Sequence, residues 1–155
     1  MKGKKMYRLF VVALVAFCCV GCRSKGEHTA EEQTAVQYTD GTYKAVSSIK
    51  DDWGGYAEAI VTITDGKITA CEFLSYEKDG TFKGEDYGKT DGVIKNAGLY
   101  KIAQDSMKKA AQYGPKLVET QRLDKVDAIA GATGSYKLFQ NAAGLALEQA
   151  QKAGN

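Results

Sequence analysis

The run Tyr56-Ala-Glu-Ala-Ile-Val-Thr-Ile-Thr64, Asp65-Gly66, Lys67-Ile-Thr-Ala-Cys-Glu-Phe-Leu-Ser-Tyr76 decides the fold class. Two segments rich in β-branched and aromatic residues flank an Asp-Gly pair, the residues that suit a type I′ turn, whose two central positions both need positive φ. A β-hairpin is expected here. Apolar and polar residues alternate only in part, so the pattern does not say which face is buried. Upstream, Asp40-Gly41 marks a turn and Thr42-Tyr-Lys-Ala-Val-Ser-Ser-Ile49 reads as a further strand, with Trp53-Gly-Gly55 as punctuation.

Downstream the period changes. Residues 77–92, Glu-Lys-Asp-Gly-Thr-Phe-Lys-Gly-Glu-Asp-Tyr-Gly-Lys-Thr-Asp-Gly, read as a Gly-rich charged loop. Loops of such length without structure of their own are uncommon and usually functional or mobile. Leu99, Ile102, Ala103, Met107, Ala110 and Ala111 then recur at helical spacing, a core-facing stripe expected to end near Gly114-Pro115. A last helix is expected from about Ser135 to Lys152, with Leu138, Phe139, Ala142, Ala146 and Ala150 facing inward and Gly154 after its end. Strands first and helices after predict an α+β fold: an antiparallel sheet with packed helices, forming a single domain over residues 37–155.

The start of the chain reads differently. Lys2, Lys4, Lys5 and Arg8 precede an apolar run from Leu9 to Gly21, which at 13 residues is shorter than a membrane span. The run ends at Val20-Gly21-Cys22, a small residue before Cys, as at the lipobox of bacterial lipoproteins. Residues 1–21 are therefore expected to be a lipoprotein signal peptide and Cys22 the lipidated mature N-terminus. Cys19 stands where Leu is usual in a lipobox, and plain secretion or an uncleaved anchor is the competing reading. Residues 22–36 are polar and read as a flexible tether. The protein is thus expected in the cell envelope, lipid-anchored on the extracytoplasmic side of a membrane.

Cysteine usage agrees. Cys18 and Cys19 fall in the signal segment, Cys22 takes the lipid, and Cys71 stays single, an unreactive thiol in a strand. No disulfide framework or zinc spacing is visible, and His28, the single histidine, sits beside the anchor. Four of the 21 basic residues precede residue 22, which leaves 17 against 19 acidic ones. A weakly acidic domain without a basic stripe is a poor nucleic-acid binder.

The chemistry concentrates in Val126-Asp-Ala-Ile-Ala-Gly131-Ala-Thr133-Gly-Ser135. A small-residue turn feeding a helix offers free backbone N–H groups and the positive end of the helix dipole to a phosphate. Gly131 and Gly134 let the backbone come close to a ligand, and Thr133 presents a hydroxyl near the helix start. The plainer reading makes Thr133 or Ser135 an N-cap.

These residues carry a resemblance. Val126 to Thr133 is similar to the Asp-x-x-Ser/Thr-Gly-Ala-Thr signature of the FMN-binding domain family, which includes flavoprotein subunits of the sodium-translocating NADH:quinone reductase and Rnf complexes. The family also includes short extracytoplasmic lipoproteins, among them the major membrane immunogens. The Asp40–Tyr43 opening and the Asp65–Ile68 strand pair also resemble it, so that the likeness covers roughly residues 38–153. It implies FMN as cofactor, joined through its phosphate to Thr133 by a separate Mg²⁺-dependent flavin transferase that uses FAD. Gly131, Ala132, Gly134 and Ser135 would surround the phosphate, and Asp127 would accept N–H groups of the turn. Ala130 departs from the signature, which has Ser or Thr there. The flavin ring needs an aromatic wall. Tyr136, one turn from Thr133, is the preferred residue, with Trp53, Tyr56, Tyr76, Phe82 and Tyr87 also available. Lys78 and Lys83 are candidates to offset negative charge on flavin or phosphate, against the plainer reading of a solvated loop. The implied role is electron transfer with redox partners, without catalysis of its own; a cofactor-free lipoprotein binding a small ligand or partner is the alternative.

Because Gly21-Cys22 is the one junction with a small residue before Cys at the end of the apolar run, Cys22→Ser is expected to release the protein from membranes or block its processing. Fatty-acid labelling that persists in Cys22→Ser would exclude the lipobox reading.

Overall fold

The computed structural model describes residues 36–154. The signal segment, Cys22, His28 and the tether up to residue 35 lie outside them. Three antiparallel strands, β1 (Gly41–Val46), β2 (Tyr56–Thr64) and β3 (Lys67–Tyr76), form a sheet in the order β1-β2-β3. Helices α1 (Ala97–Ala110), α2 (Tyr113–Thr120) and α3 (Thr133–Lys152) follow, with a short 3-10 turn at Leu123–Lys125. The α+β architecture expected from the sequence is the one found.

Asp65 and Gly66 have φ of 52° and 69°, the two positive values of a type I′ turn. Asp40, which opens β1, accepts the N–H groups of both at 2.9 Å, and these bonds hold its carboxyl below the usual range. The partial alternation has a cause in the pairing. Thr62 faces Ala70 while Ile63 faces Ile68, so Thr69 is an extra residue on β3. The bulge puts Ile68 on the same face as Cys71, Phe73 and Ser75, and a strict period of two is lost.

That face meets α2 and α3. Across β1 and β2 it is built from Ala45, Ala57, Ala59, Val61 and Ile63, and α3 answers with Ala142, Ala143, Ala146 and Ala150, all buried. Alanine against alanine lets helix and sheet approach closely, with Leu138, Phe139 and Leu147 filling the sides. Over β3 the closest approach is at Gly114, where a Cβ would stand 2.1 Å from the carbonyl oxygen of Cys71. Burial pushes the Cys71 thiol up to about 12, in keeping with an unreactive side chain.

Three local expectations are revised. β1 ends at Val46, before the expected Ile49. Gly114-Pro115 lies inside the first turn of α2 instead of ending a helix; proline is tolerated there because the N–H it lacks has no intrahelical partner. The α1 stripe is also turned. Leu99 and Ile102 are 64% and 66% exposed, while Ala110 is buried and Ala103 and Met107 are half-buried. The helix faces the core and the 84–88 loop along Ala103, Met107 and Ala110, at i, i+4 and i+7.

That loop is held at several points. Gln104 donates to the carbonyls of Gly84 and Tyr87 at 3.0 and 2.9 Å, and the Tyr100 hydroxyl donates to Glu85 at 2.8 Å. Gly88 packs on Ala103, and Phe82 pairs with the end of β3 at Tyr76. Lys83 is buried, not solvated: it meets Asp51 at 2.7 Å, with side chains 9% and 10% exposed. Asp51 also accepts the N–H groups of Gly55 and Trp53 at 2.7 and 3.0 Å. Burial alone would raise its carboxyl; Lys83 and these donors outweigh burial and hold it low.

Two stability predictions follow from these contacts. Gly114→Ala forces backbone against backbone and is expected to cost about 3 kcal/mol or more in urea denaturation. Asp51→Ala leaves the Lys83 ammonium buried without its partner, for an expected loss of about 3–5 kcal/mol, and Asp51→Ala/Lys83→Met should recover part of it. Since folding lowers the Asp51 pKa, the contribution of the pair is full above the ordinary carboxylate range and fades as pH falls through the lowered value.

Candidate functional site

The turn before α3 is organised from below by Tyr113, a fully buried side chain at the start of α2. Its ring stacks on Phe139 with centroids 5.1 Å apart and meets Phe73 edge-on at 6.2 Å. Its hydroxyl accepts the Ile129 N–H at 3.0 Å and donates to the Ala132 carbonyl at 3.1 Å. One phenol thus ties both ends of Ile129-Ala-Gly-Ala132. The Ala132 N–H returns to the Ile129 carbonyl at 2.9 Å, closing a β-turn whose third residue, Gly131, has φ of 84°. That positive φ is the requirement of a type II turn at this position and the reason for glycine there. Burial raises the Tyr113 pKa, which keeps the phenol protonated and able to donate.

Above this clasp the chain turns into α3. Ala132 is the N-cap residue and makes no side-chain capping bond, so neither Thr133 nor Ser135 caps the helix. Thr133 is the first helical residue and is exposed. Ser135 is half-buried and its N–H donates to the Ala132 carbonyl at 3.0 Å. The N–H groups of Thr133 and Gly134 have no acceptor among the described residues. A Cβ on Gly134 would meet nothing within 4 Å, so the face beside Thr133 is open. Free N–H groups, a helix N-terminus and an uncommitted hydroxyl fit an esterified phosphate.

Two residues of the expected site have other surroundings than the sequence suggested. Asp127 is exposed and accepts no N–H of the turn among the described residues; Tyr113 holds the turn in its place. Tyr136 donates to the Val126 carbonyl at 2.9 Å and leans on Tyr113 at 5.7 Å, bracing the base of the loop. Ala130 is exposed on the turn, so the hydroxyl missing there is not one that the turn's hydrogen bonds use.

The other aromatic candidates gather elsewhere. Trp53 and Tyr87 line a cavity of about 330 Å³ with Gly55, Glu77, Lys78 and Lys83. The Lys83 ammonium lies 5.1 Å from the centre of the Tyr87 ring. Tyr56 stacks on Tyr76 at 5.1 Å, and Phe82 meets Tyr76 at 5.8 Å. The cavity stands where β2 begins and β3 ends. α3 starts at the same end of the sheet and runs away from it: Asn141 accepts the N–H of Ser48, after β1, and further along the helix the Ala150 carbonyl accepts that of Thr39, before β1. Helix α1 spans the interval between cavity and turn. Gln104 holds the Tyr87 carbonyl, and the Lys109 side chain lies against Gly131. Five residues of helix separate them, about 7.5 Å of rise.

Tyr113 and Lys109 are the residues that sequence reasoning missed. Tyr113 adjoins Gly114-Pro115, read as a helix end, and Lys109 is one of several lysines on a charged helix.

Comparison with known proteins bears on the cofactor. The family described as FMN-binding domain matches residues 52–148. Among solved structures, the chain is similar to the CPE2226 protein from Clostridium perfringens, at 27% identity and a TM-score of 0.56, over 75% of this chain and 91% of that one. A protein from Clostridium thermocellum, with a solution structure, shares 25% identity over 72% of this chain and 91% of its own, with a TM-score of 0.44. No curated protein matches the chain. The family match takes in both the aromatic cavity and the Thr133 turn: the chain belongs to the FMN-binding domain family, and FMN is its cofactor.

Proposed function

We propose that this flavin-binding protein carries FMN as an ester of Thr133 and relays electrons at the extracytoplasmic face of a membrane, to which a lipid on Cys22 anchors it. The observation that carries the attachment is the exposed, uncapped Thr133 beside the free N–H groups of Thr133 and Gly134. In the transfer, the Thr133 Oγ–P bond forms as the pyrophosphate bond of FAD breaks; AMP leaves, and the hydroxyl proton passes to the separate flavin transferase or to solvent. Once attached, FMN supplies one- and two-electron chemistry, while the protein supplies retention and orientation. Retention matters outside the cytoplasm, where a dissociated flavin is lost by dilution.

The residues assigned to the ring are Trp53 and Tyr87, which line the cavity. Gly131 and Gly134 leave room at the phosphate. The Lys83–Asp51 pair holds the loop that carries Tyr87, so the cavity keeps its shape without a ligand-dependent ion pair. Redox partners would meet the open side of this cavity, where Trp53 is 78% exposed.

Co-expression with a flavin transferase is expected to give a yellow protein, heavier than the polypeptide by one FMN less one water, whose colour survives denaturing electrophoresis. Thr133→Ala should abolish the covalent colour and change stability by ~0.5 kcal/mol or less, since the hydroxyl holds nothing in the fold. Thr133→Ser should retain part of the labelling. A colourless wild type beside an acceptor on which the transferase is active would leave the cofactor-free binding lipoprotein as the reading that stands.

A further inference from the structure

The lysine against Gly131 has no evident structural duty. Lys109 projects from the last turn of α1, and a Cβ built on Gly131 would stand 2.5 Å from its ammonium and 3.2 Å from its Cδ. The stem therefore lies along the Gly131 face and brings the charge to the turn that precedes Thr133. The Lys109 ammonium makes no hydrogen bond or ion pair among the described residues. Its nearest acidic neighbour on the helix, Asp105, is engaged by Lys101, which leads the causes that lower the Asp105 carboxyl, with Lys108 and Lys109 contributing less. Within the turn, the one carboxylate, Asp127, is exposed and unpaired among the described residues.

We propose that Lys109 is the counter-cation of the phosphate carried on Thr133, an inference that rests on the reading of Thr133 as the attachment site. The backbone supplies neutral N–H donors at the start of α3, but an esterified FMN phosphate bears a full negative charge. A lysine contributes a compact positive charge with three donors and no fixed plane, suited to an oxygen cluster approached from one side. A side chain at residue 131 would displace the ammonium from this position. Lys109 comes from a different helix than the N–H groups, so the anion site is closed only when α1 and α3 are in place together. It would act on incoming FAD by offsetting the same charge while the ester forms, and afterwards hold the phosphate in place.

The test uses the mature protein, purified flavin transferase, FAD and Mg²⁺, with covalent FMN read by intact mass. At low ionic strength Lys109→Ala is expected to slow the initial transfer roughly two- to fivefold, the scale of an exposed charge pair. Lys109→Arg should restore the rate, Lys109→Glu should slow it further, and added salt should shrink the differences. Lys108→Ala, the neighbouring exposed lysine, is the control and should leave the rate unchanged. A second readout does not depend on the transfer rate: the phosphorus NMR resonance of the loaded protein should shift in Lys109→Ala and stay in place in Lys108→Ala. Equal transfer rates for the two alanine variants, or a phosphorus resonance that Lys109→Ala leaves where it is, overturns the inference while Thr133 keeps its role. A wild type that takes no flavin from an active transferase overturns both.

Discussion

One buried hydroxyl organises this protein's site. The turn between Val126 and Thr133 leaves the sheet, carries few side chains able to pack, and still has to present a helix N-terminus in a fixed direction. Tyr113 meets that requirement with two hydrogen bonds, one received from Ile129 and one given to Ala132. The bond to Ala132 is buried and the one from Ile129 is partly so, and an unpaired phenol at this depth carries a desolvation cost. Its ring is fixed between Phe139, Phe73 and Tyr136. The direction of the N-terminus of α3 is thereby tied to the packing of α2 on β3, and that packing is set by Gly114 against the Cys71 carbonyl. A displacement of α2 would move the turn with it.

The remaining architecture divides between the two ends of the sheet. At one end Asp40, the Asp65-Gly66 turn, Gln121 and the C-terminus of α3 close the fold; Gln121 bonds both the N–H and the carbonyl of Ile68 along the edge of β3. The other end carries the aromatic cavity and the Thr133 turn. The long loop at that end is not loose, because its charge at Lys83 is neutralised in the interior and its carbonyls are taken up by Gln104 and Tyr100. Helix α1 gives few side chains to the core and serves chiefly to hold that loop, while its last turn lies beside the Thr133 turn. Its outward Leu99 and Ile102 follow from this duty, since the face turned inward is chosen by the loop and not by the core.

What the sequence made legible was whatever depends on neighbours in the chain. The Asp65-Gly66 hairpin could be read because positive φ at two successive positions restricts the residues directly. The α3 stripe could be read because all of its apolar positions meet a single surface. The anion-binding character of residues 126–135 is likewise a property of a short turn feeding a helix. Three features were hidden for identifiable reasons. The Thr69 bulge erased the alternation of β3 by shifting its parity midway. Pro115 imitated a stop, because proline ends helices and also starts them. The clasp by Tyr113 and the approach of Lys109 join residues separated by 16 or more positions, and no local pattern distinguishes that tyrosine or that lysine from the others.

The position of Ala130 bears on how far the family signature can vary. A hydroxyl at that position would lie on the exposed second residue of the turn, away from the Tyr113 clasp and from the hydrogen bond that closes the turn. Its loss therefore leaves the geometry of Gly131, Ala132 and Thr133 unaltered, and what it removes is a polar group that an incoming molecule would have met. Gly131 is under a stricter demand, from its positive φ, and so is Ala132, whose carbonyl serves Tyr113 and Ser135 together and whose methyl is buried. The tolerance of each position follows its hydrogen bonds and packing: the residue that differs from the signature is the one on which the turn makes no demand.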